Sequence, residues 1–385
     1  MTDRCDVAIV GGGPVGLFLG CLLAQQGVDA RVYERRTTRH VHSRAVGVHP
    51  PGLACLAEVG VAEPLIRRGV CVRRALAFGA RRALGSVSFS SLPGPHGFVL
   101  CVPQRETERA LEARLGALSE QALRAGWEVL AIEAGAAEAR LTVRHSGAPQ
   151  TVHARFVVGC DGKHSRVREA AGIAFPGGPY REHFMMADSA DETGFGHDAA
   201  IFMTREGVVE SFPLPNGQRR WVVGLGAERR EASAALVEAL VARRTGQVAR
   251  AATATMISAF TAERYIASTF ARGSIALAGD AAHVISPIGG QGMNLGWLDA
   301  RLLARGLVAG LREPARVEAS MQRYAVERRR AARAGARRAE LFMTIGQRRT
   351  LLPLRDALIE GMLSRPLVGQ AAQLFTMRGL ASAGA

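Results

Sequence analysis

The residues able to do chemistry fall in three glycine-bearing segments. In the first, Gly11, Gly13 and Gly16 stand at G-x-G-x-x-G spacing between the apolar run VAIV and the apolar stretch LFLGCLLA. At this spacing the first glycine permits a tight turn and the second lets a pyrophosphate approach the backbone. The third lets a helix, opened by Pro14 and Val15, pack close to a sheet with its first amides facing the anion. Glu34 ends the next strand-like run, 18 residues beyond Gly16, and Arg35 follows it. A carboxylate there accepts from both ribose hydroxyls of an adenosine. An acid at that point disfavours a ribose 2′-phosphate, so FAD or NAD suits the turn better than NADP.

The second segment is GCDGKHSRVR (159–168), which sets Asp161 at the mouth of a buried strand. The third is SIALAGDAAHVISPIGGQGMNLGWLDA (274–300), with Gly279 and Asp280 after a strand, then Pro287, Gly289, Gly290, Gln291, Gly292, Met293 and Asn294. Amides from Gly289 to Asn294 open a new helix, whose positive end favours negative charge. A reduced flavin carries negative charge at N1 and the adjacent C2 carbonyl, and it needs donors with no side chain in the way. Asp280 stands where it would hold ribityl hydroxyls. Either acid alone suits a turn; the three segments together point to FAD.

DVAIVGGGPVGLFLGCLLAQQGVDARVYER reads as a complete βαβ unit. Residues 44–70 read as helical, 71–100 as short strands, 107–126 as an amphipathic helix and 154–162 as a buried strand. GVVESFPLPNGQRRWVVGLG carries a Pro-Asn-Gly hairpin turn between two strands. From about residue 298 the chain reads as helical, with Pro314, Pro353 and Pro366 as breaks. The expected fold class is α/β: a Rossmann-like FAD-binding domain with an inserted antiparallel substrate-binding β-sheet and a helical C-terminal region. The expected division is 1–75 plus 98–177 plus 259–311 for the FAD-binding domain. The substrate sheet takes 76–97 plus 178–258, and the C-terminal helices take 312–385.

Composition narrows the partners. The 385 residues are 48% hydrophobic and 22% charged, which is globular rather than disordered. Net charge is +15, and Lys163 is the only lysine among 49 basic residues. Only 5% of residues are aromatic, and the densest basic run, RYAVERRRAARAGARR (323–338), reads as a solvated helix face. Nucleic acid is therefore not expected as a partner. Phosphate-bearing cofactors, an acidic carrier protein or a membrane surface suit the charge better. The uncharged run Val7–Ala24 lacks a basic flank and holds five glycines, so it reads as the nucleotide-binding turn and not a membrane span. Six cysteines without a C-x-x-C pair suggest reduced thiols in a cytoplasmic protein.

In order and spacing, GGGPVG with Glu34, GCDGKHSRVR and GDAAHVISPIGGQGMN resemble the FAD-dependent aromatic hydroxylases of the p-hydroxybenzoate hydroxylase type. SRAVGVHPPGL resembles the segment in which that family brings an arginine, here Arg44, to the cofactor. QRETERAL resembles its flavin-side helix, placing Gln104 near the ribityl chain. His283 falls where the family commonly has a histidine, and YAVERR matches a late helix. FPLPNGQRRW resembles the sheet that roofs the substrate pocket, for which Phe184, Met186, Phe202, Phe212 and Trp221 are the candidates.

The resemblance implies an NAD(P)H- and O2-dependent monooxygenase acting on an aromatic, phenolic or polyketide-like small molecule through a C4a-hydroperoxyflavin. In that family NADPH or NADH reaches the flavin transiently, and the lack of a second G-x-G-x-x-G here is compatible with it. No catalytic base is assigned; His49, His183, His197, Tyr180 and Tyr265 are the side chains to weigh. No metal is called for. A monomer or homodimer is expected, and the length leaves no room for the thioredoxin-like domain of larger phenol hydroxylases. The same FAD motifs also serve epoxidases and reductases of alkene or prenyl substrates, and from another class a non-catalytic FAD-binding protein.

Overall fold

The computed structural model describes residues 3–38, 45–80, 82–135, 138–347 and 352–380. Buried apolar runs form the centre of one eight-stranded sheet. Asp3–Val10 pairs in parallel with Gln150–Gly159 on one side and with Ala30–Glu34 on the other. Ile275–Leu277 extends this sheet beyond Gln150–Gly159, and Leu123–Ala125 extends it beyond Ala30–Glu34. Val10, Glu34, Gly159 and Leu277 therefore end strands that run parallel within this sheet, and their carboxyl ends are the place where open α/β sheets bind ligands.

A second eight-stranded sheet is mostly antiparallel. Its order is His283–Val284, Met256–Ile266, Gly177–Ala190, Gln218–Gly226, Gly207–Leu214, Ala199–Thr204, Arg74–Phe78 and Ala83–Ser88. The Pro-Asn-Gly turn joins two of these strands with Asn216 at φ +62° and Gly217 at φ +66°, the left-handed pair a tight hairpin needs. The strand Met256–Ile266 runs straight through position 258, where the domain boundary is expected, and pairs at its end with His283–Val284. That pairing keeps the strand within the second sheet to its end. A small three-stranded sheet, Gly47–Val48, Val99–Cys101 and Val70–Val72, is hydrogen-bonded to neither but packs Val72 and Cys101 against Val87 and Ala199 of the second.

Two helical expectations are shortened. Residues 44–70 yield Pro50–Glu58 and Ala62–Ile66 behind the short strand Gly47–Val48. The helix expected over 107–126 spans Gln104–Leu118, because Leu123–Ala125 is taken as an edge strand of the parallel sheet. Beyond it, Gly292–Arg312, Val317–Gln347, Leu352–Leu363 and Val368–Phe375 follow one another as helices.

The basic run 323–338 departs from a solvated face. Arg328 is 1% exposed and donates to Asp299 at 2.7 Å, while Arg329 and Arg338 donate to the Ala267 and Leu374 carbonyls. The reason is Asp299, itself fully buried, which also accepts from His283 Nε2 at 2.6 Å and from the Gly279 amide at 3.2 Å. Burial pushes the Asp299 carboxyl up, but His283 and Arg328 outweigh it and hold it below the usual range. Replacing Asp299 by Ala leaves a buried guanidinium without its carboxylate, which costs about 3–5 kcal/mol. A denaturant melt of Asp299→Ala should show that loss; a change below about 1 kcal/mol would show that the network does not hold the helices.

Candidate functional site

Local backbone geometry shapes the first turn. Gly11 has φ +108°, and a Cβ there would lie 2.4 Å from the Cys160 carbonyl oxygen. At Gly16 a Cβ would lie 2.0 Å from the Gly11 oxygen, so only glycine lets the helix Pro14–Gln25 approach the strand. Gly13 differs: nothing lies within 4 Å of where its Cβ would be. It caps that helix without a side-chain hydrogen bond, and no acid sits in the first turn. The helix Gly292–Arg312 likewise starts with no side-chain cap and no acid in its first turn. The first amides of each helix lack intrahelical partners and carry the positive end of the dipole.

Both helix starts face one continuous cavity of about 1190 Å³. Gly11, Gly13, Pro14, Val15, Glu34, Arg35 and Gln104 line it, as do Asp161, Gly279, Asp280, Pro287, Gly289, Gly290, Gly292 and Met293. Gly16, Gln291 and Asn294 do not. Gly16 is spent on helix packing. The Gln291 side chain is fully buried and lies 3.5 Å from a Cβ built on Gly335, in the long helix Val317–Gln347. Asn294 accepts from the His49 amide and donates to the Gly47 and Gly290 carbonyls, so it braces the loop instead of facing the cavity. Arg44 lies outside the described residues.

The acids at the cavity differ in charge state. Burial pushes the Glu34 carboxyl up, but Arg36 and the Gly12 amide, at 2.8 Å, outweigh it and bring it below the usual range. Asp161 is raised by burial; one oxygen accepts from the Val167 amide and the other has no partner. Asp280 opens onto the cavity, with protein enclosing its other sides, and burial raises it despite His283. Arg168 ties these two loops together, donating to the Ala281 and Lys163 carbonyls. Gln104 donates to Glu108 at 2.8 Å.

The far half of the cavity lies on the second sheet. Met186 and Phe212 line it, but Phe202 and Trp221 do not. Side chains alternate across a strand, and those two point to the opposite face, against Val237, Leu240 and Val241 of the helix Ala234–Thr245. Phe184 is fully buried, stacked 5.4 Å from Phe260, and stays behind the wall. The helices Leu352–Leu363 and Val368–Phe375 close this half with Ile359, Met362, Leu374 and Phe375, a role unforeseen in the sequence because nothing in a helical tail says which surface it covers.

Of the side chains weighed as a base, His49 alone lines the cavity, and its Nδ1 is buried without a partner. His49, pushed down to about 4 by burial, faces the Gly289 carbonyl at 3.0 Å. His183 bonds Thr261, Tyr180 donates to Glu340, Tyr265 stacks on Phe175 and His197 is exposed. The missed residue is Glu210, 7% exposed, lining the cavity and pushed up to about 7 by burial alone. Its signal is a lone acid inside the buried strand GVVESFPL. Among the described residues no metal-binding cluster is present, and no helix is long and apolar enough to cross a membrane.

A match to the FAD binding domain family covers residues 4–339, and the chain belongs to that family. It is 32% identical over 315 residues to pentachlorophenol 4-monooxygenase of Sphingobium chlorophenolicum, covering 76% of this chain and 56% of that protein. It is 32% identical to 6-methylpretetramide 4-monooxygenase of Streptomyces rimosus, over 85% of this chain and 59% of that one. The chain thus spans less than two thirds of the length of these curated relatives. Among solved structures, p-nitrophenol 4-monooxygenase PnpA of Pseudomonas putida DLL-E4 shares the fold along both whole chains, with TM-score 0.89 and 22% identity. The cavity fits such a cofactor: two uncapped helix starts and open space at Gly13 suit an extended dianion, and Glu34 terminates the strand where a ribose would lie.

Two outcomes test this geometry. Gly13→Ala should leave the melting temperature of the apoprotein nearly unchanged, because the new methyl meets nothing. FAD affinity should fall at least about tenfold, roughly 1.4 kcal/mol, as followed by quenching of flavin fluorescence; unchanged affinity would remove the pyrophosphate from this turn. Glu210, with its folded pKa raised above the unfolded value near 4.5, contributes stability fully present below pH 4.5 and lost as pH rises through about 7. Glu210→Gln should therefore gain stability relative to the native chain at pH 8 and not at pH 4, by up to roughly 3 kcal/mol. A gap independent of pH would contradict it.

Proposed function

We propose that this protein is an FAD-dependent monooxygenase that uses NADPH or NADH and O2 to hydroxylate a phenolic or polyketide-like aromatic molecule. The observation that carries this reading is the single cavity: one half is rimmed by backbone amides and acids, the other walled by an apolar sheet and two helices. Its volume exceeds the roughly 300–1,000 Å³ of a site for one small ligand, which suits a cofactor and a substrate side by side. The division into an FAD-binding part, a substrate sheet and C-terminal helices follows the same two halves.

In this reading the Gly11–Gly16 turn and the start of its helix hold the pyrophosphate, and Glu34 holds the adenosine ribose, with Arg35 beside it. Asp161, Asp280 and Gln104 flank the ribityl chain. Pro287, Gly289, Gly290, Gly292 and Met293 present backbone to the flavin ring, on a loop braced by Asn294. When bound, FAD supplies the redox chemistry, accepting a hydride from the nicotinamide and activating O2. The chain's own part is to neutralise developing charge at the helix start, orient the aromatic ring and exclude water. The exclusion falls to Met186, Ile201, Val222, Phe260 and Phe375, which line the apolar half.

The charge balance supports this reading, since a basic surface attracts a phosphate-rich reductant arriving from solution. Six free cysteines, four of them with thiols pushed up to about 12 by burial, suit a reducing, cytoplasmic setting. The substrates named for the curated relatives, pentachlorophenol and 6-methylpretetramide, set the class to be screened.

The FAD-loaded protein should oxidise NADPH or NADH at least about tenfold faster when a phenol or polyketide aromatic is present, and mass spectrometry should find a product one oxygen heavier. If only an isolated alkene is oxygenated, the epoxidase assignment replaces this one. If no ligand raises the rate, the protein binds FAD without turnover.

A further inference from the structure

One side chain breaks the apolar half of the cavity. Backbone register sets a row across the second sheet: Ala77, Ile201, Glu210, Val222, Met186 and Ser258 stand opposite one another on successive strands. Directly opposed residues share a face, and all six line the cavity. Glu210 is the charged member of the row, flanked by Ile201 and Val222. Along its own strand, Val208 and Phe212 line the same wall. Among the described residues no hydrogen bond or ion pair reaches its carboxylate, although it is 93% buried by its 7% exposure.

The charged groups around it are committed elsewhere. In the next row Arg220 donates to both oxygens of Asp188, at 2.6 and 2.8 Å. From the closing helix, Arg355 donates to the Met203 carbonyl and to Asp356. Among the described residues no cation compensates the burial of Glu210, whose pKa is pushed up to about 7 by that burial alone. A buried acid without a partner costs free energy, and the wall of a cavity is where such a cost serves a ligand.

Resting on the monooxygenase reading, we propose that Glu210 is the catalytic base: it accepts a hydrogen bond from a hydroxyl on the aromatic substrate and takes its proton. The substrate's O–H bond breaks, a new O–H bond forms on a Glu210 carboxyl oxygen, and the electron pair stays on the ring oxygen. No electron is lost; the ring becomes richer in electrons and so a better target for an electrophilic oxygen. The same placement defines the substrate class. It is a phenol without a carboxylate near that hydroxyl, because a second anion would meet Glu210 in a medium that screens charge poorly. A group with pKa near the working pH is also the most effective proton acceptor.

The test compares the FAD-loaded native chain with Glu210→Gln and Glu210→Asp, using p-nitrophenol and anhydrotetracycline as probes. All three proteins should bind FAD alike, since Glu210 lies in the other half of the cavity. Bound p-nitrophenol should show its ionised absorbance near neutral pH in the native chain and not in Glu210→Gln. With whichever probe is turned over, kcat of Glu210→Gln should fall about 10²-fold or more and KM only a few-fold, because an amide still accepts the hydrogen bond. Glu210→Asp should recover part of kcat. Unchanged kcat, unchanged ionisation, or failure of both phenols to bind the native holoprotein overturns the assignment. Ionisation that depends on Glu210 without ligand-stimulated NADPH or NADH oxidation leaves the base in place and sinks the monooxygenase reading.

Discussion

One buried carboxylate sets the geometry that everything else uses. Asp299 sits without solvent contact inside the helix that begins at the cavity, and it takes hydrogen bonds from three separate segments. One is the Gly279 amide, next to Asp280; another is His283, on the short strand that extends the second sheet. The third is Arg328, from the long helix behind. Such a group is stable only when fully satisfied, since its desolvation is repaid by its partners or not at all. Moving His283 or Arg328 away alone would leave the buried carboxylate short of a partner. The position of Asp280 relative to the helix start is therefore held rigidly, at a distance from the cavity itself.

The same logic links the two halves of the site. Tyr265 and Ile266 pair with Val284 and His283 in the second sheet, while His283 also bonds Asp299 beneath the first. In the proposed reading, a substrate on the second sheet is indexed to the helix that starts at the cavity through the imidazole of His283 and the carboxylate of Asp299. Positioning of reacting groups to within about an ångström is worth large factors in rate, and an intersheet contact made by loose side chains would not supply it.

What was legible in the sequence follows from how local each determinant is. The turn at Gly11 to Gly16 announces itself because three glycines must fall at fixed spacing for one strand and one helix to touch, and all of that lies within a single βαβ unit. The hairpin at Asn216–Gly217 is legible for the same reason. In sequence, Gln291 and Asn294 sit among residues that line the cavity; only the tertiary path shows that one turns toward Gly335 and the other braces Gly47 and His49. Trp221 and Phe202 misled through the sheet's two-sidedness. Alternation groups Trp221 with Val223 and Leu225, but it does not say which face meets the helix Ala234–Thr245 and which meets the cavity. The run at 323–338 misled because charge in sequence says nothing about a buried acid 29 positions away.

Glu210 shows what a single sequence can still yield once the face is known. Its strand is buried on both sides, so a glutamate there conflicts with every local preference for burial. Such a conflict persists only where something outweighs it. Arg219 and Arg220, on the adjacent strand, resolve theirs internally: Arg219 bonds Asp191, Ser211 and nearby carbonyls, and Arg220 bonds Asp188. Among the described residues Glu210 has no such internal resolution, and it lines the cavity, where a ligand could supply a partner. The distinction between a buried charge that is paired and one that is waiting cannot be read from residue type, since all three look equally anomalous in the sequence. It comes from the register of the strands, which sends the paired arginines to Asp191 and Asp188 and leaves the acid facing an apolar chamber.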